Sequence, residues 1–239
     1  MSIATLQLGE ISLDVIRKEI KNVHLSVHPP TGRVRIAAPL RMSQDAIRLF
    51  AISKVSWIKR HQNKVQSQDR ETPREYLDRE SHYVWGRRVL LKIIEADDPP
   101  LVEHAHTRLV LQIRPDTSID ARESVVSAWY RQQVRLKAEP LIENWQDRLK
   151  VHASTLFVQQ MKTKWGSCNP TTRTIRINTE LAKKPPECLE YIVLHEMLHL
   201  LEPTHNTRFI SLMDRYMPHW RETRDLLNRL PARHERWTY

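Results

Sequence analysis

Pro185-Pro186-Glu187-Cys188-Leu189-Glu190-Tyr191-Ile192-Val193-Leu194-His195-Glu196-Met197-Leu198-His199-Leu200-Leu201 is the stretch from which the rest of this chain is best read. Proline suits the first turn of a helix, where its missing N–H would have no partner anyway. Glu187 and Glu190 complement the positive helix end, and Pro203 stops any continuation. The spacing therefore predicts a helix of about four turns over 185–201. His195 and His199 stand at i and i+4, one turn apart on one face, spaced to hold a single metal ion. Glu196 projects about 100° further round. From there it can reach a water held by such a metal without being a ligand.

Composition makes this pattern hard to obtain by accident. With 12 histidines in 239 residues, a chance H-E-x-x-H is expected roughly 0.04 times per chain. His205 follows after the Pro203 break, which lets the chain turn back, and would complete three protein ligands with one position left for water. Beyond it, His219, Tyr216 and Arg208 are rival donors to a developing oxyanion. Upstream, Met161-Lys162-Thr163-Lys164-Trp165-Gly166-Ser167-Cys168 places a glycine where a tight turn or a close backbone approach is needed. Lys162, Lys164 and Trp165 form a basic and aromatic cluster that could line a substrate cleft and meet phosphate or a base. Cys168 reads as a small packing residue, and His104 and His106 as exposed.

Working outward, residues 14–39 alternate in short apolar and polar steps about a turn at Pro29-Pro30-Thr31-Gly32, which predicts a hairpin. Ser43 opens a helical spacing that runs to about Gln66, and 67–79 reads as a loop. Strands are expected over 81–94 and 108–114. The period then turns helical from Asp120 to Leu149, with Pro140 expected to kink or interrupt it. Short strands follow at 156–161 and 174–178, the second placed beside the cleft where an extended peptide could pair with it. The domain change is placed at 118, giving a β-rich region with one helix over 1–118 and a catalytic domain over 119–239. No internal repeat is evident. The seven tryptophans, Trp237 among them, read mainly as packing.

Charge and cysteine content set the outer bounds. The net charge of +10 divides evenly about residue 118, so a basic surface is spread over the chain and an anionic partner is plausible. Two cysteines preclude a disulfide framework and suit a reducing compartment. No signal-like apolar stretch or membrane span is present, and a cytoplasmic location is expected.

The combination K-W-G-S-C, a strand of I-x-I-N-x-x-L type, P-P-x-x-L-x-Y-I-V-x-H-E-x-x-H-L, a further histidine and F-x-x-L-M-x-R-x-M-P-x-W resembles the YgjP-like metallopeptidase family, a relative of SprT-like and WLM-type proteases. That resemblance implies an α+β fold with a zincin-like, minigluzincin-type core: a small antiparallel sheet and an active-site helix, preceded by a β-rich region. It implies zinc (Zn2+) held by His195, His199 and His205, with Glu196 as catalytic acid and base, and a peptide or protein substrate. Two alternatives accompany it, a nucleoside triphosphate pyrophosphohydrolase and a DNA-associated protease, with nucleotide or nucleic acid as partner. Around the third histidine this chain reads Thr204-His205-Asn206 where the family usually reads N-H-S.

Overall fold

The computed structural model describes residues 3–28, 31–67 and 72–231. They divide into two compact units, Met1–Glu71 and Thr72–Arg233, each with its own apolar core. In the first, alternation builds a four-stranded sheet from β1 (Ile3–Leu8), β2 (Ile11–Lys18), β3 (His24–His28) and β4 (Arg33–Pro39). The order is β1-β2-β4-β3, with β2 and β4 parallel and the outer pairs antiparallel. The expected hairpin is β3 with β4; Pro29 and Pro30 of its turn lie outside the described residues. Leu13, Val34 and Ile36 are fully buried against Ile47, Ala51 and Ile58 of helices α1 (Gln44–Ser53) and α2 (Val55–Ser67). Ser43 caps α1 by accepting from the Ala46 N–H. The single helix expected here is two, because the Lys54 N–H tightens onto the Ala51 carbonyl at 3.1 Å and ends α1.

The second unit opens with β5 (Ser81–Val84), β6 (Arg87–Glu95), β7 (Leu101–Ala105) and β8 (Arg108–Ile113). Their order, β5-β6-β8-β7 with β6 and β8 parallel, matches that of the first sheet strand for strand. The chain thus repeats a topology without repeating a sequence. Helix α3 (Ile119–Leu149) follows, burying Val126, Tyr130, Val134, Ala138, Ile142, Trp145 and Leu149 along one stripe. Pro140 does not interrupt it. That proline is on the exposed face, as is Leu136 four residues earlier, so the carbonyl it leaves without a partner is open to water.

Three short strands, β9 (Thr155–Gln159), β10 (Gly166–Asn169) and β11 (Thr174–Asn178), form a sheet beside helix α4 (Pro186–Leu198). The sheet is mixed rather than antiparallel: β10 pairs antiparallel and β9 parallel with β11. Strand β11 is therefore central with both edges occupied, and an added peptide cannot pair with it as expected. A 3-10 turn over Thr179–Lys183 leads into α4, and α5 (Thr207–Tyr216) and α6 (Trp220–Arg229) complete the unit.

The change of period at 118 is not the boundary between compact units, which falls between Glu71 and Thr72. The reason is packing. At the β5–β6 turn the Trp85 N–H donates to the Ala182 carbonyl at 2.7 Å, and the Tyr130 hydroxyl donates to the Tyr83 carbonyl at 2.8 Å. The β5–β8 sheet thereby shares one core with α3 and α4.

Candidate metal centre

Helix α4 ends sooner than the sequence suggests, with His199 as its C-cap. After it, the Leu200 N–H donates to Met197 and the Leu201 N–H to Leu198, bonds that tighten the last turn before Pro203. The returning chain starts α5 at Asn206, whose side chain accepts from the Phe209 N–H at 3.0 Å. Asparagine and serine are both good N-caps, so the departure at Asn206 keeps this function.

The return brings His205 onto the helix. Its Nε2 lies 2.9 Å from Nε2 of His195, and the three imidazole centroids of His195, His199 and His205 are 4.7 to 5.0 Å apart. One ligating atom from each lies within 4.8 Å of the others. Phe209 packs its ring 4.8 to 5.0 Å from all three. The His199 Nδ1–H donates to the Glu202 carbonyl at 3.0 Å; since a carbonyl only accepts, the proton is on Nδ1 and Nε2 keeps its lone pair. Burial, helped by the neighbouring imidazoles, pushes His195 down to about 3, and burial also lowers His199. Both rings are thus neutral, the state that ligates metal. Nδ1 of His195 is buried with no hydrogen-bond partner among the described residues. Tetrahedral zinc with bonds of ~2.1 Å would hold ligand nitrogens about 3.4 Å apart, so this three-nitrogen donor set fits such an ion.

Glu196 is 5% exposed and sits against β10. A Cβ at Gly166 would lie 2.7 Å from its Cγ and Oε1 and 2.9 Å from Ile192 Cγ2, so only glycine admits the carboxylate there. Burial pushes the carboxyl up to about 8, with the charge of Lys164 drawing it back. Cys168, on the same strand, has its thiol pushed up to about 11 by burial and by Glu196, in keeping with a packing residue.

Asn178, which the sequence reading passed over, pins the loop before β10. Its Nδ2 donates to the carbonyls of Met161 (2.8 Å) and Lys164 (2.7 Å), and its own N–H donates to that of Trp165 (2.9 Å). Tyr191 is the other omission. It meets the His195 ring at 5.9 Å and stacks on Trp220, whose Nε1–H donates to Asp214 at 2.8 Å. Phe209 and Tyr191 lie at helical spacings that read as ordinary core.

The remaining candidates are dispersed. Lys162 and Lys164 are exposed, and Trp165 is half-buried with the Lys184 ammonium 6.0 Å above its ring. His219 is exposed beside Glu222, Tyr216 sets its ring edge-on to Trp145 at 6.1 Å, and Arg208 is exposed on the first turn of α5. None of these last three is in hydrogen-bond, ion-pair or ring contact with the histidines among the described residues.

A family model described as the YgjP-like metallopeptidase domain matches residues 21–230. The chain belongs to that family. Its match runs through both compact units. Among solved structures this YgjP-like chain is similar to the metallopeptidase zymogen jannalysin of Methanocaldococcus jannaschii, at 23% identity over 38% of this chain and 87% of that one, with a TM-score of 0.35. It is similar also to the abylysin zymogen of Pyrococcus abyssi, at 22% identity over 38% and 90%, with a TM-score of 0.35. A comparison with curated proteins gave no match.

Proposed function

We propose that this chain is a cytoplasmic zinc peptidase with a zincin-like core, in which His195, His199 and His205 hold one zinc ion and Glu196 is the catalytic acid and base. The observation that carries the reading is the convergence of three imidazoles, two of them held neutral by burial, next to a buried carboxylate that Gly166 alone makes room for. Bound there, zinc would supply Lewis acidity, polarising the scissile carbonyl and acidifying a water.

Glu196 takes the proton of the attacking water and delivers it to the leaving amine as the C–N bond breaks. Its high proton affinity suits both transfers near neutral pH. The Glu202 carbonyl orients His199, and Phe209 holds the three rings and excludes water from their apolar side. An extended peptide pairs with the outer edge of β10, which starts at Gly166 beside Glu196. Of the candidate oxyanion donors, Tyr216 is held by Trp145 and His219 faces Glu222 at 3.6 Å, whereas Arg208 is exposed on the first turn of α5. No helix among the described residues is long and apolar enough to cross a membrane.

Protein purified without added metal should carry close to one zinc per chain. Glu196→Gln should keep that zinc while lowering kcat by roughly 10²–10⁴-fold, the usual contribution of a general base. Turnover by the variant at the wild-type rate would refute the role of Glu196.

A further inference from the structure

A groove of about 640 Å³ is lined by Gln146, Asp147, Lys150, His152, Pro170 and Arg173 together with Val151 and Leu200. Its volume is that of an ordinary ligand site. Two strands of chain connect it to the histidines. Leu200 follows His199 directly, and Pro170 follows β10, whose first residue touches Glu196. At ~3.3 Å per strand residue, the groove begins about 13 Å from Gly166.

The frame is rigid. Lys150 and Arg173 both have left-handed backbones (φ 56° and 51°), the Ala153 N–H donates to the Gln146 side chain at 2.8 Å, and the Ser154 N–H donates to the Arg173 carbonyl at 2.8 Å. Lys150 and Arg173 are exposed, and among the described residues neither side chain has a hydrogen bond or ion pair. Two unmatched cations in a groove that reaches Pro170, the residue after β10, suit a single carboxylate arriving on an extended chain. A nucleic acid fits less well, because the lining has no Phe, Tyr or Trp ring for a base to stack on and only two cations to meet a run of phosphates.

We propose that this groove is a specificity subsite for an acidic side chain of the substrate, about three to five residues from the bond cleaved. The inference rests on the peptidase reading above. It is tested on the full-length, zinc-loaded Glu196→Gln protein with fluorescent alanine-rich peptides that carry either aspartate or asparagine. The aspartate peptide should bind roughly tenfold more tightly, the equivalent of one charge-assisted contact. Lys150→Asn with Arg173→Asn, chosen because asparagine tolerates the left-handed backbone, should abolish that preference. Lys59→Gln with Arg60→Gln, the same loss of charge on α2, should retain it. Equal binding of the two peptides, or a preference that survives in the Lys150/Arg173 variant, would overturn the subsite. So would displacement of the peptide by a single-stranded oligonucleotide at lower concentration than by unlabelled aspartate peptide. Cleavage is read separately in the wild type: acidic peptides that bind through Lys150 and Arg173 but are never cut would sink the peptidase reading and leave the anion preference standing.

Discussion

Gly166 sets how closely β10 can approach the Glu196 carboxylate. With a Cβ 2.7 Å from both Cγ and Oε1, Gly166→Ala forces the carboxylate to move. Displacements of this order cost about 10²-fold when a group must meet a reacting atom. We expect Gly166→Ala to lower kcat by that factor with zinc content unchanged, measured by steady-state rates beside metal analysis. Glu196 also governs pH dependence in the metal-free protein. Its carboxyl is raised from an ordinary 4.5 to about 8 in the fold. Between those values the folded state keeps a proton that the unfolded chain releases, so the stability this group contributes is full below 4.5 and is lost as pH rises towards 8. Glutamine does not titrate. The thermal midpoint of metal-free wild type should therefore drop relative to Glu196→Gln on going from pH 5 to pH 8; parallel curves would remove the buried carboxyl from the account.

At the scale of elements, the turn between β5 and β6 anchors the start of α4. Gly86 has a φ of +79°, and a Cβ there would meet Pro185 Cγ at 2.9 Å and its backbone nitrogen at 3.1 Å. Backbone strain and overpacking both oppose a side chain, and Gly86→Ala should destabilise the second unit by about 2–3 kcal/mol, read from the urea midpoint. Elements whose pattern is local were legible in the sequence. Helices α3 and α4 and strand β11 carry their period in their own residues, and the three histidines and Glu196 lie within one helix and the turn that follows. What escaped depends on distant partners. Strand β7 buries only Val102, so it shows no alternation. The pairing of β11 on both edges is a property of β9 and β10, and Asn178 acts through a loop that its own neighbourhood does not reveal. Pro140 reads in sequence as a kink or an interruption because its exposed face is a tertiary fact.

At the scale of the molecule, the residues proposed for chemistry all lie in the unit Thr72–Arg233, which has its own core. A fragment comprising 72–233 should fold cooperatively and bind zinc in a one-to-one ratio, seen as a single calorimetric transition that rises when zinc is added. A fragment that binds no zinc would place part of the site's support in the first unit. The two sheets of like strand order show one arrangement reached by two sequences whose inward residues differ, Leu13, Val34 and Ile36 in one and Val89, Leu91, Leu109 and Leu111 in the other. Topology of this kind is held by pairing and burial rather than by particular side chains, which is why no repeat was visible in the sequence.

Strand β10 leaves its outer edge without a partner strand among the described residues. Such an edge also attracts other molecules of the same protein, and exposed edges are where self-association into aggregates starts. Here it is four residues long and is followed at once by Pro170, which has no N–H to donate. A short edge closed by proline offers too little ladder to nucleate a stack of identical chains, yet keeps enough for the transient guest proposed above, so an open edge here adds little to the protein's tendency to precipitate when crowded.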